Sequence, residues 1–430
     1  MPTLAGRVLG SSNSVVDIAV IGAGAAGLGA AKTLGQAGAD FILLEASHRI
    51  GGRAYTEEAA PGVPFDLGCH WMHSGSLNPF VPIAERLGFT YSTEAITRRV
   101  HDGRDLVSEA EQAACMAFLD QCFAAVDAAA AAGQDVAIAD VTARENRWTP
   151  FFDYLVSLFC SVDSDQVSTV DLYAYNDTHE DWPLKEGYGT LIARFGADQP
   201  VELNTAVTRI DWSGPGVTLE TAQGTVRAKT AIITVSTGIL GGGDIRFAPD
   251  LPDWKQAAIA ALPLGNHNRI CLLLDRDVFG PDALQGVTAM PADEVPMSFR
   301  IRPFGYDYVV AVTGGRFADW LERAGIEASA DLAKERLASI YGNAIKDRVV
   351  RSTVTAWRGD PWVRGAYSAS QPGQGQRRAD LAKPVGERLF FAGEATSTDF
   401  FSTAHGAYLS GIDAAKAALA RLADVKVAAR

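Results

Sequence analysis

A short apolar run that stops on a cluster of glycines constrains this chain more than any other feature. Residues 17–47 read DIAVIGAGAAGLGAAKTLGQAGADFILLEAS. Asp17 to Ile21 is partly β-branched and ends at a glycine, the pattern of a buried parallel strand. It runs directly into Gly22, Gly24 and Gly27, with Ala26 inside the same turn. An alanine-rich helix follows, then a second apolar run, Phe41 to Leu44, closed by Glu45. Each part has a physical task. Gly22 permits a tight turn, Gly24 lets the backbone approach a pyrophosphate, and Gly27 lets helix and strand pack closely. The positive end of the helix faces phosphates. An acid about 20 residues on accepts hydrogen bonds from ribose hydroxyls, and Glu45 holds that place. Strand, loop, helix, strand and terminal acid together predict a βαβ dinucleotide-binding unit.

Just after Glu45, ASHRIGGRAYT sets Arg49 and Arg53 on either side of Gly51 and Gly52. A second glycine turn beside arginines suits a longer dinucleotide whose pyrophosphate needs a cationic clamp. A chain of 430 residues with 47% hydrophobic content is too long for one core, so at least two domains are expected. The formal net charge is -13, with no Lys/Arg-rich block. Nucleic acid is therefore not an expected partner, whereas a small cation is steered favourably. Five scattered cysteines form no C-x-x-C and no metal-type spacing with histidine, which predicts a reducing compartment and no metal. The opening residues lack a signal-peptide core, and no apolar run approaches membrane-spanning length. A cytoplasmic protein with no membrane partner is expected, with residues 1–14 a flexible tail.

Near the other end, RLFFAGEATSTDFFSTAHGAYLSG (Arg388 to Gly411) begins as a strand and breaks at Gly393 and Glu394 before a helix of small residues. Between the two ends lie FDLGCHWMHSGSLNP, PLKEGYGTLI, VELNTAVTRIDW, AIITVSTGIL and WRGDPWVRGAYS. With the glycine loop and the G-G-R turn, these motifs in this order resemble the flavin-containing amine oxidases, closest in motifs to polyamine oxidases. The resemblance implies an α/β fold: a Rossmann-like FAD-binding domain of the GR2 type with a discontinuous α+β substrate-binding domain. It divides the chain into 15–79, 186–258 and 352–425 for FAD, and 80–185 and 259–351 for substrate. The last third of the chain would return to close the flavin site.

The resemblance also implies roles. Trp71 would run along the flavin and Val207 would cover the adenine. Gly393 and Glu394 would face the ribityl and phosphate region, and the first turn of the last helix, at Ala404 and His405, would meet the flavin's pyrimidine edge. Ala366 stands where some family members carry a cysteine bonded to the cofactor, so the FAD would be noncovalent. Tyr367 matches one wall of an aromatic cage around the amine. The opposite wall falls at Thr403, which is not aromatic; Phe400 and Phe401 either rebuild it or belong to the core. Arg269 aligns with a lysine usually found near flavin N5, and His73 with a polar residue of the substrate tunnel. Asp177, Glu180 and Asp181 are either a subsite for a further amino group or a solvated loop.

The implied reaction passes a hydride equivalent from the α-carbon of a primary or secondary amine, with a di- or polyamine favoured, to the flavin. The imine hydrolyses to an aldehyde. O2, reduced to H2O2, or an electron-acceptor protein would reoxidise the flavin, and a homodimer is one expected assembly. A cyclic or aromatic amine of the nicotine kind and an L-amino acid are the alternative substrates; a flavin-free escort protein is the non-enzyme alternative. Alanine-rich residues 110–133 and the run ADLAKERLASIYG are predicted helices.

Overall fold

The computed structural model describes residues 15–280, 284–292 and 294–428; the expected N-terminal tail lies outside them. The predicted βαβ unit forms as strand Val15–Ile21, helix Ala25–Gln36 and strand Phe41–Leu44. Strand Val15–Ile21, buried from Ile18 on, has parallel neighbours on both sides. Ile18 to Ile21 pair with Phe41 to Leu44 on one side and with Thr230 to Ile233 on the other. The ten-residue strand Gly224–Ile233 is central to this eight-stranded sheet. Its first half pairs antiparallel with Val217–Thr221, and its last residues pair parallel with Leu389–Phe391. That second pairing is where the end of the chain rejoins its beginning. From there helix Ala404–Ala428 crosses helix Ala25–Gln36 so closely that a Cβ on Gly411 would lie 2.0 Å from the Ala26 carbonyl oxygen.

A second, seven-stranded sheet runs in the order Val349–Val354, His267–Leu274, Tyr308–Gly314, Met297–Ile301, Gly286–Ala289, Arg98–Asp102, Asp105–Leu106. Alternation gives it two unlike faces. Ile270, Leu272, Phe299, Val309 and Ala311 pack on Ala333 and Leu337 of helix Ile326–Tyr341. The opposite face carries Arg269, Val312, Ser298 and Thr288, which front a large cavity. Strand Val349–Val354 pairs along its length with His267–Leu274, so a domain bound between 351 and 352 cuts through it. The segmentation read from the sequence ends this piece a few residues early, because nothing local marks a strand's partner. We propose 355 as the start of the returning piece.

Helix Glu109–Ala131 begins at Ser108, whose hydroxyl accepts from the Glu111 amide while the Glu111 carboxylate accepts from the Ser108 amide. This reciprocal cap fixes the start that the alanine content alone leaves loose. By length and composition this helix could cross a membrane, contrary to the expectation that no run approaches that length. Much of its apolarity is alanine. Cys115, Phe118, Leu119, Cys122 and Val126 face into a core with Phe151, Phe152 and Val156.

Candidate active site

Where the chain doubles back, the two sheets and the last helix enclose one cavity of about 1080 Å³, continuous from the glycine loop to Tyr367. The loop end is built as its glycines require. Gly22 has φ +102°, and its amide donates to the Leu44 carbonyl at 2.7 Å. Gly27 does not line the cavity; it stands behind the loop, where a Cβ would fall 1.8 Å from the Gly22 carbonyl oxygen. Gly24 and Ala26 do line it, and a Cβ on Gly24 would meet nothing within 4 Å. A side chain there would project into open space that a bound dinucleotide needs. Glu45 closes its strand with one carboxylate oxygen accepting from the Ala23 amide at 2.7 Å and the other from Ser47 at 2.8 Å. Burial raises its pKa, against those two bonds.

Arg53 and Glu394 form a clamp. Arg53 Nη1 donates to Glu394 at 2.8 Å and to the Ala366 carbonyl at 2.6 Å. Glu394 also accepts from the Ser368 amide and hydroxyl and from the Ser402 amide. Burial works to raise its pKa, but Arg53, Arg378 and those bonds outweigh it, so the carboxylate stays ionised. Both Arg53 and Glu394 line the cavity, as do Trp71, Val207, Gly393 and Ala404. These residues fit a flavin dinucleotide: a cradle for the pyrophosphate, an arginine beside it and an apolar wall.

At His405 the expectation concerns the backbone amide, not the side chain. The residue does not line the cavity; its Nδ1 accepts from Asn78 Nδ2 at 3.2 Å, and its ring lies against Phe400, 4.7 Å between centroids. In the first helical turn its side chain leans away from the helix mouth, so only its backbone amide is available to a cofactor. Thr403 lines the cavity and caps the same helix, its hydroxyl accepting from the Gly406 amide at 3.0 Å.

At the other end, the Tyr367 ring faces the cavity while its hydroxyl donates to the Leu158 carbonyl and lies 3.1 Å from His267 Nδ1. His267 thus supplies the ring beside Tyr367, 5.8 Å between centroids. Phe401 lines the cavity; Phe400 does not. His267 was not singled out from the sequence, although its two-residue spacing from Arg269 on a strand puts both on the cavity face. Arg269 is buried, 7% exposed, lies 5.8 Å from the Phe65 ring centroid, and its Nε has no partner among the described residues. Burial lowers its pKa, opposed by Asp66.

His73 stands at the mouth, its Nδ1 2.6 Å from Asp181. Asp177 and Asp181 line the cavity; Glu180 does not, and accepts instead from Ser76 and Thr178. His70, left unassigned by the motifs, also lines the cavity and donates Nδ1–H to buried Asp66 at 2.9 Å.

Burial pushes His70 down to about 4, aided by Arg269 and opposed by Asp66. It pushes His267 and His405 to about 3. An unfolded chain protonates these histidines near pH 6.5, so their neutral burial stabilises the fold above about pH 6.5 and that contribution is lost as pH falls toward 4. Asp66 and Glu394, both lowered against burial, add stability that disappears below the ordinary carboxylate range. The thermal midpoint is therefore expected to drop steadily from about pH 6.5 downward. A flat midpoint from neutrality to about pH 4 would contradict the neutral burial of these rings.

Comparison with known proteins agrees with this geometry. The family model described as flavin containing amine oxidoreductase matches residues 25–419. Polyamine oxidase 4 of Oryza sativa subsp. japonica is 30% identical over 467 residues, covering 96% of this chain and 90% of that protein. Probable polyamine oxidase 4 of Arabidopsis thaliana is 28% identical over 455 residues, covering 94% and 87%. Among solved structures, cyclohexylamine oxidase from Brevibacterium oxydans IH-35A superposes with a TM-score of 0.80 at 21% identity, covering 95% of this chain and all of that one. Putrescine oxidase bound to putrescine gives 0.79 at 19%, covering 95% and 99%. At such identities the structures establish the shared fold.

Proposed function

This chain belongs to the flavin containing amine oxidoreductases, and from that premise we propose that it is an amine oxidase with noncovalent FAD. The observation that carries the reading is the continuity of one cavity from the Gly22–Gly27 loop to the Tyr367 and Arg269 end. When bound, a flavin takes up the two electrons and the hydrogen removed from the amine's α-carbon, leaving an imine that water converts to an aldehyde.

The protein's own groups prepare that step. Gly24 lets the backbone approach the pyrophosphate, Glu45 receives ribose hydroxyls, and Arg53, fixed by Glu394, sets a positive charge beside the phosphates. Tyr367 and His267 present rings that hold the amine in place. Phe151, Leu155 and Phe401 exclude water. An ammonium entering this buried end meets Arg269 and two histidines that stay neutral, so desolvation and like charge both favour the neutral amine. Ala404, which opens the last helix, and Arg269 both line the cavity, so the helix N-terminus and the guanidinium would each favour negative charge on a bound flavin.

Ala366, 5% exposed beside Arg53, offers no thiol for a covalent link. The polyamine oxidases among the relatives support a di- or polyamine, and Asp177 with Asp181 at the mouth are the carboxylates a second amino group would meet. O2 as acceptor with H2O2 as product, a cytoplasmic location, no membrane partner and a homodimer complete the proposal; they rest on the sequence reading. Anaerobic addition of amines to the purified yellow protein is expected to bleach the flavin absorbance, and acid precipitation to leave the flavin in the supernatant. A coloured pellet would refute noncovalent binding, and a flavin unmoved by every primary and secondary amine tried would refute the oxidase.

A further inference from the structure

One wall of the cavity carries a feature that plain amine oxidation does not use. Arg98 and Arg300 lie in one row of the second sheet, each paired in register with Gly286 between them. All three residues line the cavity. Gly286 makes the row possible, because a Cβ there would sit 2.9 Å from Arg98 Cγ. Among the described residues no carboxylate is within 4.0 Å of either guanidinium; Arg300 reaches only the Gln285 side-chain oxygen, at 3.5 Å, and its buried Nε has no partner. Burial, then the neighbouring Arg98, lowers the Arg300 pKa to about 10. Arg300 is partly buried and has no carboxylate within 4.0 Å, whereas Arg98 is exposed and, with His73, close enough to Asp181 to lower that acid's pKa against burial. An arriving anion would therefore relieve Arg300 most, with Arg98 as the second donor. Beside them the Trp71 ring, its centroid 5.9 Å from the Arg300 guanidinium, makes the floor. Across from them Asp181 pairs with His73 and also feels the Arg98 charge, and Asp177 pairs with His179, so an acidic wall faces the basic one.

We propose that Arg98 and Arg300 form a subsite for a carboxylate carried by the remote end of the amine substrate. This rests on the amine oxidase reading above and narrows it. A plain polyamine would bring another cation to this wall, whereas a carboxylate can accept paired hydrogen bonds from Arg300 and Arg98 while its amine reaches Tyr367 and Arg269. A diamine that also bears a carboxylate satisfies the basic wall and the acidic one together.

The test uses the holoenzyme and amines alike except at the remote end: pentylamine, cadaverine and ε-aminocaproate, with caproate as a ligand that cannot be oxidised. Loss of a hydrogen-bonded charge partner corresponds to roughly ten- to hundredfold in affinity. Caproate is expected to perturb the bound flavin's absorbance, and ε-aminocaproate to have a KM roughly tenfold or more below that of pentylamine. Arg300→Gln should collapse that ratio by raising KM for ε-aminocaproate more than for pentylamine, and Arg300→Lys should restore part of it. Cadaverine preferred over ε-aminocaproate, with no response to caproate, overturns the subsite. Caproate binding without bleaching by any of the three amines keeps the subsite and refutes the amine oxidase reading instead. Should the Arg300→Gln protein fail to fold, the wild-type preference among these ligands decides.

Discussion

Gly27→Ala is expected to yield a protein that purifies without flavin. The new methyl carbon would stand 1.8 Å from the Gly22 carbonyl oxygen and 2.9 Å from its carbonyl carbon, and both are backbone atoms that no rotamer change can move aside. Nor can Gly22 retreat. Its amide is bonded to Leu44, its carbonyl accepts from the Thr234 hydroxyl at 3.0 Å, and its φ of +102° is one only glycine adopts without strain. Relief must come from pushing helix Ala25–Gln36 off the strand, and that opens the pyrophosphate cradle. Overpacking of this kind costs about 1–3 kcal/mol or more. The control is Gly24→Ala. A Cβ there meets nothing within 4 Å, so the flavin-free protein should keep the urea midpoint of flavin-free wild type and lose flavin affinity only, because the methyl group occupies cofactor space. Equal flavin content in both variants and the wild type, read as the ratio of visible to protein absorbance, would show that the loop does not hold the cofactor.

What the sequence made legible follows from distance along the chain. The βαβ unit could be read because strand, turn, helix and acid are contiguous, and each residue type reports its own local geometry. The pairing of Leu389–Phe391 with Gly224–Ile233 carries no local signal; the resemblance to a known family implied only that the last third of the chain returns to close the flavin site. The same limit explains the misses. His267 is a lone histidine between two asparagines, ahead of an apolar run, until the strand's two-residue period links it to Arg269. Arg98 and Arg300 become neighbours only through a register that passes over Gly286. His405 is read for its backbone amide at a helix end that faces the cavity, and the direction of its side chain, here toward Asn78 and Phe400, carries no signal in the sequence. Helix Glu109–Ala131 was legible from alanine propensity, yet its buried face was not, since alanines on every side leave little periodicity to read.

Asp171→Asn should destabilise the fold by about 3–5 kcal/mol, the cost of stripping one partner from a buried ion pair. Asp171 and Arg378 are only 2% and 3% exposed at the side chain, and they meet through two parallel bonds of 2.7 and 2.8 Å. Helix Thr169–Tyr173 is thereby tied to helix Arg377–Ala382. Arg378 further donates to the Ser368 hydroxyl at 2.8 Å, that hydroxyl donates to Glu394 at 2.6 Å, and Glu394 receives Arg53. A loss at Asp171 is therefore expected to reach the cofactor clamp, so flavin release and unfolding should shift together in urea. The guanidinium also lies 3.9 Å from the Phe401 ring centroid, so an uncompensated Arg378 would press on the substrate wall as well. Asp171→Leu combined with Arg378→Met removes both charges and should recover part of the loss, because no ion is then left buried alone. A single-variant cost below about 1 kcal/mol would place this pair with ordinary surface bridges, and Arg53 would then need no buried network to hold its place.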